Sequence, residues 1–236
     1  MEDRYIREIV IDWSAVPEDA YPRKISALRG LERLRLNRNV TLLCGENGTG
    51  KSTLLEAVAV AAGFNAEGGT RNYRFSTYDD VSPLSGAVSL VRGFRCPRNG
   101  YFFRAESFFN VATVTMTEYN DGSLPDYHAC SHGESFLEFM QRATPQGLYL
   151  MDEPEAALSP QRQLTLLLHI ARMVQAGAQV LIATHSPVLL GLPDAEILSF
   201  DGGAVRPCDY EDTESVRIMR LFLENREGLL RRLLEE

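Results

Sequence analysis

Residues 41–56, Thr-Leu-Leu-Cys-Gly-Glu-Asn-Gly-Thr-Gly-Lys-Ser-Thr-Leu-Leu-Glu, constrain this chain more than any other stretch. An apolar run enters a glycine-rich turn and leaves it as a helix start, and Gly45-x-x-x-x-Gly50-Lys51-Ser52 fits the P-loop pattern. Glycines let the backbone curl until several N–H groups point at one anion, and the following helix adds its positive end. Lys51 would reach the β- and γ-phosphates, and the Ser52 hydroxyl would ligate magnesium. The candidate nucleotide-binding residues are Gly45, Glu46, Asn47, Gly48, Thr49, Gly50, Lys51, Ser52 and Thr53. The chain holds 22 Arg and only two Lys, Lys24 and Lys51, yet the P-loop position carries a lysine. A compact ammonium fits among phosphate oxygens where a planar guanidinium is too wide. The plain alternative is a glycine-rich turn that binds nothing.

At 236 residues and 44% apolar, the chain can bury one substantial core with a small lobe attached. No apolar run reaches the ~18 residues that span a bilayer, and Met-Glu-Asp-Arg does not open a signal peptide. Cys44, Cys96, Cys130 and Cys208 have no paired spacing, so reduced thiols and a cytoplasmic location are expected. The net charge of −8 is uneven: residues 1–104 balance at +3 and residues 105–236 at −11. That acidity argues against indiscriminate nucleic-acid binding while allowing a local basic face.

Residues 5–13 read as an opening strand, followed by an arginine-studded segment, 23–38, expected to be a solvated strand-turn surface. A strand over 39–44 feeds the P-loop, and its helix runs from Lys51 to about Ala62 before Gly63 stops it. Two strand-like runs, 86–92 and 100–117, turn about Gly93, Pro97, Asn99 and Gly100. Six arginines between Arg71 and Arg104 make this region either a face for an anionic partner or a hairpin edge kept soluble by charge. Ser131-His132-Gly133-Glu134-Ser135 opens a helix with Phe136, Phe139 and Met140 on one face. Ser159-Pro160 starts another, ending at Gly177, with Leu164, Leu167, Leu168, Ala171 and Val174 expected on its buried side. Strands at 178–183 and 195–200 follow, then two amphipathic acidic helices over 211–236 that either bind a partner or cap the sheet.

The expected fold is α/β, a P-loop NTPase with a mostly parallel sheet flanked by helices and a small antiparallel β lobe. We expect a single domain over 1–236. Residues 1–40 and 70–117 would build the β lobe, and 39–62 and 131–205 the P-loop core.

The strand 147–151 delivers Asp152-Glu153, which looks like a Walker B motif downstream of a P-loop. Asp152 would hold magnesium and Glu153 would orient or deprotonate the attacking water. Successive side chains leave a strand end in opposite directions, so the pair can serve the metal and the γ-phosphate separately. Kinase-like P-loop proteins need no such glutamate, so it favours hydrolysis.

The order of P-loop, Ser-x-Gly helix start, strand-Asp-Glu and strand-His resembles the ATPase heads of the ABC superfamily. Glu-Pro-Glu-Ala-Ala-Leu-Ser-Pro and Ala-Thr-His-Ser-Pro are closest to the SMC/RecF/OLD-like branch, and within it to small stand-alone ATPases without a coiled coil. The resemblance spans about residues 5–205. It implies that His185 contacts the γ-phosphate and that two heads sandwich two ATP molecules head to tail. Ser131 and the Gly133 N–H would then bind the γ-phosphate held by the other protomer, with Leu158-Ser159 at the seam. An aromatic upstream of the P-loop, Trp13 or Tyr21, would stack on adenine, although either is equally suited to a core.

Two departures stand out. The signature reads Ser-His-Gly-Glu-Ser instead of the transporter Leu-Ser-Gly-Gly-Gln, and no glutamine occurs in 101–111, where the Q-loop should lie. Glu106 or Ser107 would take that role toward magnesium and water. The expected function is therefore a Mg2+-dependent ATPase, a cytoplasmic ATP-dependent homodimer acting on nucleic acid or a partner effector protein. The alternatives are the ATP-binding subunit of a membrane permease, which the altered motifs disfavour, or a nucleotide-binding regulator with little turnover.

Overall fold

The computed structural model describes residues 4–71, 81–105, 107 and 132–234. Two sheets carry the architecture. The smaller is antiparallel, in the order β2 (Arg33–Arg35), β1 (Ile6–Ile11), β4 (Val88–Arg92). The larger has six strands: β5 (Gly100–Arg104), β6 (Leu148–Asp152), β7 (Gln179–Ala183), β3 (Val40–Cys44), β8 (Glu196–Ser199) and β9 (Arg206–Pro207), in that spatial order. All its pairings are parallel except β8 with the two-residue β9.

Side-chain alternation along the central strands divides the core in two. Leu43, Leu148, Leu150, Leu181, Ala183 and Leu198 face the small sheet. Leu42, Tyr149, Met151, Val180, Ile182 and Ile197 face the opposite layer. Helix α1 (Lys51–Ala61) lies in the first layer and buries Leu54, Leu55, Ala57, Val58 and Ala59, so it is apolar around most of its circumference. The second layer holds α2 (His132–Arg142), α3 (Pro160–Gln175) and the short α4 (Pro187–Leu190). Buried Gln179 ties the sheets together: its Oε1 accepts from Ile6 N at 2.8 Å and its Nε2 donates to Ile6 O at 2.8 Å.

Three expectations are corrected. The run from residue 100 does not form a hairpin with 86–92. Instead β4 pairs with β1, and β5 joins the edge of the parallel sheet beside β6. Its Tyr101-Phe102-Phe103 core is buried on both faces, and a doubly covered strand carries such an unbroken apolar run where a lobe strand would alternate.

On α3 the buried residues are Leu166, Ile170 and Met173, while Leu164 and Leu168 are exposed. Apolar side chains nearly encircle this helix, so their spacing alone does not select a face. Leu167, Ala171 and Val174 flank the buried stripe.

The C-terminal helices α5 (Glu214–Glu224) and α6 (Arg226–Leu234) do not cap the sheet along their length. α5 buries only Val216, α6 buries nothing, and Ile218, Leu221 and Leu223 are exposed. Among the described residues, no helix is long and apolar enough to cross a membrane.

Candidate functional site

The P-loop joins the buried end of β3 to α1. Gly45 and Gly50 have φ of 135° and 99°, where an L side chain is strained. A Cβ at Gly45 would meet Asp201 Oδ1 at 2.9 Å, and one at Gly50 would meet Ile25 and Leu28 at 2.9 Å. The loop therefore requires glycine both for its turn and for its close packing. Gly50 supplies no side-chain cap to α1, so first-turn N–H groups remain available to an anion. Lys51 is buried, and its Nζ donates to the carbonyls of Gly45 at 2.7 Å and Glu46 at 2.8 Å. Desolvation lowers its pKa, opposed by the nearby carboxylates of Glu153, Asp201 and Asp152. Thr49 Oγ1 donates to Glu46 O, while Ser52 and Thr53 are partly exposed on the first turn of α1.

The ends of β6 and β7 bring the second set of residues to this turn. Ser52 Oγ donates to Asp152 Oδ1 at 2.8 Å, joining the P-loop helix to β6. Glu153 follows with φ 49°, a left-handed conformation uncommon for a residue with a Cβ. This turn carries its carboxylate out of the strand, and His185 Nε2 stands 3.8 Å from Glu153 Oε1.

Of the expected site residues, the structure gathers Gly45–Thr53, Asp152, Glu153 and His185. Gly133 lies in the first turn of α2, whereas Ser131 and Glu106 fall outside the described residues. Ser159 caps α3 by accepting from Arg162 N, with Leu158 buried before it. Trp13 is half-buried, its indole N–H committed to Leu31 O, while Tyr21 is largely exposed.

Four residues at the site were not anticipated as members of it. Arg104, at the end of β5, donates from Nη1 to Glu56 Oε2 at 2.8 Å and to Ala66 O at 3.0 Å. Its Nε lies 3.9 Å from Asp152 Oδ2. Glu56, on α1, also accepts from Ser82 N at 3.0 Å. Glu155 Oε1 accepts from Thr184 Oγ1 at 2.6 Å, His185 N at 2.7 Å and Ser186 N at 3.1 Å, so one carboxylate oxygen shapes the turn that carries His185. Asp201, just beyond β8, accepts from Glu46 N at 2.9 Å and supports the P-loop from behind. An acidic residue at the carboxyl end of a strand in an open α/β sheet was the available signal for Asp201. Arg104 was hidden in a series of arginines of which Arg92, Arg95 and Arg98 are exposed.

A glycine turn, an uncapped helix start, a buried lysine and an acidic strand end define a P-loop nucleotide-binding protein. Two AAA-domain family models match separate stretches of the chain. One covers residues 23–85, including the P-loop. The other covers 136–191, including Asp152, Glu153 and His185, and its description adds the AbiEii toxin of a type IV TA system. No curated protein matches the chain. The SMC head domain from Thermotoga maritima is 13% identical, with a TM-score of 0.45 over 87% of this chain and 99% of that one. A metal-chelate type ABC transporter in an inward-facing conformation is 18% identical, with a TM-score of 0.44 over 76% of each chain.

Proposed function

We propose that this protein binds ATP with magnesium and hydrolyses it. In this reading two heads close around two nucleotides to act on nucleic acid or on a partner effector protein in the cytoplasm. The observation that carries the reading is the 2.8 Å bond between Ser52 and Asp152, with Glu153 and His185 beside it. A hydroxyl and a carboxylate form an all-oxygen donor set suited to a hard cation that retains waters and takes phosphate oxygens. Ser52 would ligate Mg2+ directly and Asp152 through water, with Glu106 a further candidate. The bound ion would neutralise charge on the β- and γ-phosphates.

Lys51 would leave the carbonyls of Gly45 and Glu46 for phosphate oxygens, and the α1 N–H groups would hold the same anion. Glu153, turned out of β6, would accept a proton from the attacking water. His185, on a turn held by Glu155, would meet the γ-phosphate and orient that water with Glu153. Ser131 and the Gly133 N–H of the second protomer would close the other side.

Light scattering with magnesium and ATP tests this proposal. Glu153→Gln should accumulate as a nucleotide-dependent dimer, and Ser131→Arg should abolish that dimer. If both stay monomeric while ATP binds, the head-to-tail site is wrong.

A further inference from the structure

The P-loop lies at the carboxyl ends of the parallel strands. At their opposite end, where β5 and β6 begin, is a separate cavity of about 270 Å3. Arg71, Arg98 and Arg142 line it, together with Asn99, Tyr101 and Phe139. The aromatic pair forms one wall, with ring centroids 4.4 Å apart.

The charges on this cavity are not balanced. Arg142 pairs with Glu138 at 3.0 Å, an exposed i,i+4 contact that is easily exchanged. Arg71 and Arg98 have no carboxylate partner among the described residues. Arg71 is also held in place: its Nη1 donates to Pro97 O at 2.9 Å, and its guanidinium carbon lies 5.2 Å from the Phe64 ring centre. Its Nε is buried without an acceptor, and its pKa is lowered by burial and by the proximity of Arg92, against the opposing influence of Cys96. A positioned arginine with a buried, unpartnered Nε, in a cavity lined by two further arginines, favours an anionic occupant.

The chemistry of the lining selects the anion. Planar guanidiniums present paired donors that match the oxygens of a phosphoryl group. The cavity is concave and just below the ~300–1,000 Å3 range of ligand pockets, which favours a compact molecule over a polymer. We propose that this cavity is a second anion site, distinct from the P-loop, that holds the phosphoryl group of a small molecule, either inorganic phosphate or a phosphomonoester. Its occupant would touch the starts of the two strands whose far ends carry Arg104 and Asp152.

Calorimetric titration at low salt tests this, using Lys51→Ala to silence the P-loop. The probes are inorganic phosphate, ribose 5-phosphate, adenosine 5′-monophosphate and a single-stranded oligothymidylate. One small probe should bind at one site, and adding Arg98→Ala should weaken it by about tenfold or more. Arg98 is exposed, so this change does not threaten folding. A phosphomonoester binding more tightly than phosphate would assign the site to the ester, whereas equal affinities would assign it to phosphate itself. Arg71→Gln should weaken the same probe while Arg71→Lys retains part of the affinity. The proposal is overturned if no small probe binds, if binding survives both arginine changes, or if these arginines bind only the oligothymidylate. None of these outcomes depends on ATP turnover, so failure here leaves the ATPase reading untouched.

Discussion

Ser52 and Asp152 are a hundred positions apart and joined by a 2.8 Å hydrogen bond. That contact brings the two halves of the site together, because Ser52 belongs to the P-loop helix and Asp152 to the end of β6. Asp152→Asn retains an acceptor for the serine hydroxyl but removes the charge. It should change stability by no more than about 1 kcal/mol. Its main effect should be on magnesium. In the wild type, ATP should bind more tightly with the ion than without it, and in the variant that difference should shrink by about an order of magnitude. Parallel titrations with and without magnesium measure it.

Arg104 and Glu56 form a largely desolvated pair, with side-chain exposures of 21% and 11%. Removing one member strands the other, so Arg104→Ala should cost about 3 kcal/mol in urea unfolding. Arg104→Lys should recover part of that. An ammonium can meet Glu56, but it lacks the planar fork that spans Glu56, Ala66 O and the side of Asp152.

Glu155 separates hydrogen bonding from charge. Its Oε1 accepts three bonds, while Oε2 is buried without a hydrogen-bond partner. Glu155→Gln can keep the accepting oxygen in place and should hold ATP turnover within about tenfold of wild type. Glu155→Ala releases Thr184, His185 and Ser186 together. It should lower kcat by about 100-fold or more with a smaller change in KM, since it displaces the residue beside Glu153 without touching the P-loop. Steady-state phosphate release distinguishes the two.

Burial pushes the Cys44 thiol and the Tyr149 phenol up to about 12, from ordinary values of 9.0 and 10.0. In both, the unfolded chain loses its proton first. The stability these groups contribute is therefore fully present below the ordinary values and is lost as pH rises through about 12. Urea midpoints should fall across this alkaline range. Tyr149→Phe should make the fall shallower because it removes one of the two ionisations.

The P-loop and the Asp152-Glu153 strand end were legible in the sequence because their chemistry is local: glycines at fixed spacing, or an acidic pair closing an apolar run. The edge position of β5 was not, because an unbroken aromatic run signals burial without naming the neighbouring strand. Arg104 and Glu155 were illegible as site members for a related reason. Their partners lie on other elements, and only the register of β5 against β6 and the path of the 184–186 turn bring them into contact. The face of α3 was ambiguous because Leu164, Leu166, Leu167 and Leu168 cover several directions at once, and tertiary packing chose among them.

The left-handed turn at Glu153 sets stability against reactivity. A side chain at φ 49° carries a conformational cost of about 1 kcal/mol that glycine would not. Glu153→Gly should therefore melt at or above the wild-type temperature while losing the carboxylate proposed to activate the attacking water. A selection for thermal robustness alone would favour this substitution, and a screen reading only folding would score the loss of that carboxylate as an improvement.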